Sequence, residues 1–234
     1  MTDTRLRNPG ELLATLVALA AASVSPLIFV AAAAGYSSMH DLGMHALIPA
    51  LAVWFAIAVL SRPMGWSRLG RGLAIGFLAG IAATVALEIV RITGFRAFDS
   101  MPGSMPELMG VLLTNHFMLG PDLWSNVVGW ADHFANGVGF ATIFVLVFGR
   151  PRAWTAIPYT LAIAVVFMSS PVVRVMGAGY FGANYDPGFV VTVLLAHIAF
   201  ALALGNVVAR GPALQGPIWR HYLVPARQAG TGVA

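Results

Sequence analysis

Apolar residues run through this chain in long blocks, with polar positions confined mostly to the gaps between them. A helix needs roughly 20 apolar residues to cross the hydrocarbon core of a bilayer. Six blocks meet or approach that length, at 12–34, 44–60, 73–93, 127–148, 153–175 and 189–209. The gaps carry Gly, Pro, Ser, Asn and Arg, which punctuate helices. One stretch fits neither description: Pro102, Pro106 and Pro121 surround an apolar run too short to span. It is read as a short interfacial or re-entrant helix over about 106–119. The pattern therefore predicts an all-α integral membrane bundle of six transmembrane helices plus that short helix, in a single domain spanning 1–234. The first block follows Arg5 and Arg7 as a secretory signal would, yet stays apolar to Ala34, and so reads as an uncleaved first span.

Composition strengthens this. Of 234 residues, 59% are hydrophobic and 9% charged. A soluble domain carries about a quarter charged residues, so a water-soluble fold, a disordered chain and a free-standing nucleic-acid binder are all excluded. The lipid bilayer is the expected partner, alongside a membrane-protein partner or a second copy. Cysteine is absent, which removes disulfides, thiolate metal sites and Cys nucleophiles together.

Charge sets the expected orientation. With six spans and the N-terminus inside, ten of the thirteen arginines lie on the cytoplasmic side and only Arg91, Arg96 and Arg174 outside. That is the sense of the positive-inside rule. The expected location is the cell's inner (plasma) membrane, with both termini cytoplasmic. Most acids, histidines and methionines then fall in the outer half.

Ionisable residues inside spans need an account, because each costs several kcal/mol in hydrocarbon unless paired or turned inward. Gly72, Gly76, Gly80 and Thr84 recur every fourth residue, a stripe of small side chains that admits a neighbouring helix, and Glu88 is its next step. Similar stripes hold His133 (Gly129, Gly137, Ala141) and His197 (Ala201, Gly205, Ala209). Glu88 lies roughly 8 Å, and His133 and His197 roughly 10–15 Å, below the outer ends of their helices. These three are the candidate metal ligands, with His45 or His116 completing the set. His133 and His197 alone form a candidate bis-histidine site for haem b. Glu88 is otherwise explained by an ion pair with Arg91 or Arg174, or by a proton-handling role, and Asp132 by a structural partnership with Arg174 or Asn136. Each histidine alone reads as well as a buried, hydrogen-bonded side chain.

Methionine adds a softer option. Met101, Met105 and Met109 repeat every fourth residue ahead of His116. Thioethers with imidazole select Cu(I), whereas a carboxylate with two imidazoles suits iron or zinc. Methionine also simply fills gaps in apolar cores, and Pro102 and Pro106 interrupt the helical spacing. No nucleophile elbow, His-Glu-x-x-His helix, P-loop or dinucleotide fingerprint is present. The readings left open are a metal (copper, iron or zinc) or haem site facing the outer half, redox-active or not; a non-catalytic subunit or assembly factor of a larger membrane complex, with no cofactor; and a small-solute or metal transporter.

Residues 76–91, GFLAGIAATVALEIVR, and 133–152, HFANGVGFATIFVLVFGRPR, resemble a loose group of small bacterial multipass membrane proteins. Those carry an Ala-Gly-x-x-Ala-Thr helix and a His-x-x-Asn-Gly-x-x-Phe helix ending in Phe-Gly-Arg. The resemblance covers about a third of the chain and implies a membrane location but no reaction.

Overall fold

The apolar blocks become helices because hydrocarbon offers no partner for backbone N–H and C=O groups, and a helix satisfies nearly all of them internally. The computed structural model describes residues 4–6, 8–212, 214 and 216–225; Asp3, Arg7 and Arg227 lie outside these. Five helices are long and apolar enough to cross a membrane: α1 (Pro9–Ala33), α2 (Met39–Leu60), α3 (Ser67–Phe98), α5 (Leu123–Phe148) and α8 (Pro187–Arg210). This is the architecture of a multipass membrane protein. Three shorter helices complete the bundle: α4 (Met105–Leu113), α6 (Ala156–Met168) and α7 (Pro171–Val175). Helix α9 (Ile218–Tyr222) leads into a strand, β2 (Leu223–Pro225), that pairs antiparallel with β1 (Thr4–Leu6).

Two expectations change. The block at 153–175 is not one helix. Pro171 lacks the N–H that would continue the ladder and pushes Ser170 into extended backbone (φ −84°, ψ 162°). The chain therefore turns after Met168 and restarts at Pro171. The short helix ends at Leu113 rather than 119, because Asn115 takes a left-handed conformation (φ 57°) and turns the chain away. At nine residues it is about 14 Å long and cannot span.

Small residues decide the packing. A Cβ on Gly72 would run into Leu146, one on Gly76 would come within 2.8 Å of the Thr142 backbone, and one on Gly80 would overlap Val138. The predicted stripe on α3 is thus the α3–α5 contact. On α5 the same device serves two partners: Gly129 meets the Pro106 and Gly110 backbone of α4, and Gly137 meets Thr84 of α3. Helix α8 lies antiparallel to α3, with Gly94 against Thr192 at one end and Ile75 against Gly211 at the other. Nearer the first of these contacts, this register sets His197 opposite the turn that holds Glu88 and Arg91.

The end of the bundle bearing the strand pair is closed by a buried arginine. Glu11 of α1 accepts hydrogen bonds from the Arg68 and Leu69 backbone N–H groups, both at 3.0 Å, and so caps α3 from outside. The Arg68 Nη2 donates to the Leu146 and Gly216 carbonyls (2.9 and 3.1 Å), and its guanidinium lies 5.6 Å from the Tyr222 ring centroid. The Tyr222 hydroxyl meets Thr15 Oγ1 at 3.0 Å. Arg68, one of the ten arginines expected on the cytoplasmic side, is 2% exposed because the C-terminal segment folds back over it.

Candidate functional site

The half of the bundle remote from the strand pair contains a cavity of about 390 Å³. Its walls come from α1, α3, α5, α6 and α8, and Met101, Met105 and Met109 line it too. Most of the lining is apolar, including Leu27, Phe29, Leu87, Phe140, Ile163 and Phe200. The polar exceptions carry the chemistry: Arg91, His133, Asn136, Tyr159 and His197, with several hydroxyls.

One wall holds a charged cluster. The Arg91 Nε and Nη2 donate to Glu88 Oε1 and Oε2 at 2.7 and 2.6 Å, a bidentate pair one helical turn apart. The His133 Nε2 approaches Glu88 Oε1 at 2.9 Å from α5. Glu88 and Arg91 are 4% and 6% exposed, so both are withdrawn from bulk solvent and each helps to solvate the other. The Arg91 Nη1 is buried and has no hydrogen-bond partner. Trp130 packs edge-on to the His133 ring, with centroids 6.1 Å apart.

The opposite wall is simpler. The His197 Nδ1 lies 2.8 Å from the Val193 carbonyl on its own helix. A carbonyl only accepts, so Nδ1 carries the proton and the neutral ring keeps its lone pair on Nε2. The Thr160 hydroxyl donates to the His197 carbonyl at 2.9 Å, and the Tyr159 hydroxyl to the Phe140 carbonyl at 2.9 Å, fastening α6 to its neighbours.

The candidate residues separate into two sets. His133, His197, Met101, Met105 and Met109 share the cavity, and Glu88 backs it through Arg91 and His133. Met101 precedes α4 whereas Met105 and Met109 lie within it. Their four-residue repeat is therefore not a helix face, and the proline-bearing turn brings them together.

The others lie elsewhere. His45 is exposed, its Nδ1 3.0 Å from the Asp41 carbonyl. His116 pairs with Asp122 at 3.2 Å, beyond the end of α4. Asp122 caps α5, and the Ser125 backbone N–H, then its hydroxyl, hold that carboxyl below its usual range, with His116 adding to the effect. Arg174 is exposed over the Tyr180 ring and pairs with neither Glu88 nor Asp132. Asp132 turns to α1, where Ser25 Oγ donates to its Oδ1 at 2.8 Å, and no bond links it to Asn136.

Among the described residues no group of three or more His, Asp and Glu side chains is placed to hold a metal ion. The geometry gives the reason at Glu88, whose two oxygens are already taken by Arg91 and His133. Tyr159 and Thr160 joined the site without a sequence signal, since they sit in an apolar run with no polar partner nearby in the chain.

Compared with known protein families, curated proteins and solved structures, the chain matches none.

Proposed function

We propose that this protein is a six-crossing inner-membrane protein that binds a small, largely apolar molecule in the non-cytoplasmic half of its bundle. One observation carries the reading. A cavity of about 390 Å³ falls in the range typical of small-molecule sites, roughly 300–1,000 Å³. Its make-up also follows their pattern, an apolar lining with a few convergent polar groups.

The parity of the ends supports a sixth crossing. Strands β1 and β2 pair, so both ends of the described chain meet on one side, which an odd number of crossings forbids. Helix α6 supplies the remaining one. The turn that leads into it packs on Gly205 near the inner end of α8, and Met168 at its far end clusters with Met101 and Phe189. The arginine asymmetry makes the paired ends cytoplasmic.

Fluorine NMR of hexafluorobenzene, with the protein in lipid nanodiscs, tests this reading. A saturable bound signal distinct from that of probe in lipid is expected, at one site per chain, and it disappears in Ala196→Phe, which fills the cavity. A lipid signal alone, unchanged by that substitution, would refute the proposal.

A soft-metal site is the second reading, because the three methionines and the free Nε2 of His197 line the same cavity. It requires one Cu(I) bound per chain and lost in Met101→Leu/Met105→Leu. A bis-histidine haem finds less support, since His133 already spends Nε2 on Glu88.

A further inference from the structure

We infer that the bound molecule is a neutral lipophile whose hydrogen-bond-accepting carbonyl meets Arg91, and that it enters sideways from the bilayer between α1 and α6. This rests on the cavity being a ligand site.

The head-group chemistry follows from the charged wall. Arg91 is 6% exposed and lines the cavity, yet its Nη1 has no hydrogen-bond partner. A buried donor left unmet is costly, more so on a charged group. An oxygen acceptor from the ligand removes that cost. The acceptor is neutral because Glu88 already cancels the Arg91 charge through both its oxygens. An anionic head would add an uncompensated charge in a medium of low dielectric. The other titratable groups facing the cavity do not alter this. The His133 Nε2 is committed to Glu88, and the free His197 Nε2 is an acceptor in the neutral ring.

The body and the route follow from the walls. Phe29, Leu87, Phe140 and Phe200 offer nothing but apolar contact. Leu27 on α1 and Val166 on α6 are 58% and 65% exposed while also lining the cavity. Between them α1 and α6 make little contact with one another, and toward the outer end Phe167 and Val172 belong to the same apolar cluster as Phe29. The mouth therefore faces the region occupied by lipid chains, and a molecule already dissolved there reaches Arg91 without crossing water.

Displacement of hexafluorobenzene from the nanodisc-embedded protein by three competitors tests this. Methyl undecyl ketone and n-tridecane have the same carbon count and differ in one carbonyl that replaces a methylene; laurate carries a charged head. The ketone is expected to displace the probe at a concentration at least about ten-fold lower than tridecane, the worth of one hydrogen bond to a charged donor. In Glu88→Gln/Arg91→Met, which strands no charge, that ratio falls to about one. If this variant does not fold, the carbonyl infrared stretch of the ketone bound to the unaltered protein provides the same test, with a shift to lower wavenumber expected. Equal displacement by ketone and alkane with an unshifted carbonyl would overturn the head-group assignment while leaving the cavity reading intact. Stronger displacement by laurate would overturn its neutrality. Failure of the probe itself to bind would count against the cavity reading instead.

Discussion

Arg91 spends two of its nitrogens on Glu88 and leaves a third without a partner, and the two side chains neutralise each other out of water. Breaking such a buried pair from one side is expensive because it strands a charge, whereas replacing both partners is cheaper. Glu88→Ala is expected to cost about 3–5 kcal/mol, measured by denaturant unfolding in detergent micelles. The double substitution Glu88→Gln/Arg91→Met is expected to cost less than either Glu88→Ala or Arg91→Met alone. Additive losses would mean that the two groups are independently solvated. The pair itself follows from the sequence, since a Glu and an Arg three apart in an apolar helix have few other ways to be buried. The arrival of His133 from another helix follows only in part: its stripe predicts that it faces inward, but not which helix it meets. Arg68 shows the limit of local reading. Its burial depends on Gly216 and Tyr222, some 150 residues away in the chain, and nothing near it announces them.

Among the elements, α3 and α5 are held together by missing side chains. Gly80 lies where a Cβ would overlap the Val138 backbone, so Gly80→Leu is expected to cost at least about 1–3 kcal/mol by overpacking. Gly103, where an added Cβ would meet nothing within 4 Å, provides the control: Gly103→Ala is expected to stay within about 0.5 kcal/mol. Comparing thermal unfolding of the two variants checks this, and equal effects would contradict the packing described. This interface is visible in the sequence because small residues at four-residue spacing leave a physical trace. The break in the fifth block is also written there, as Pro171, but hydropathy is unchanged across it, so a reading by apolar length passes over the turn. The convergence of Met101, Met105 and Met109 has the opposite history. Their spacing suggested a helix face, which Pro102 interrupts, and the turn it helps make delivers all three to one cavity.

For the molecule as a whole, the two ends of the bundle have different tasks. The end with β1 and β2 is tied by Glu11, Arg68, Thr15 and Tyr222 into a structural knot. The other end holds the cavity, with Leu27 of α1 and Val166 of α6 on its walls and ionisable side chains behind them. Charge scarcity and arginine placement already point to this division, because they separate an arginine-rich face from a half rich in histidine and methionine. What they leave out is the cavity, which depends on how α1, α3, α5, α6 and α8 come together. The cysteine-free chain permits a direct measurement there: labelling of Asn136→Cys, on the α5 wall of the cavity, in sealed liposomes. A lipid-soluble maleimide is expected to label it, and excess methyl undecyl ketone to slow that labelling, while a charged thiol reagent is excluded from both sides. Labelling by the charged reagent from either aqueous phase, or labelling by the lipid-soluble one that the ketone leaves unchanged, would contradict a lipid-facing binding cavity.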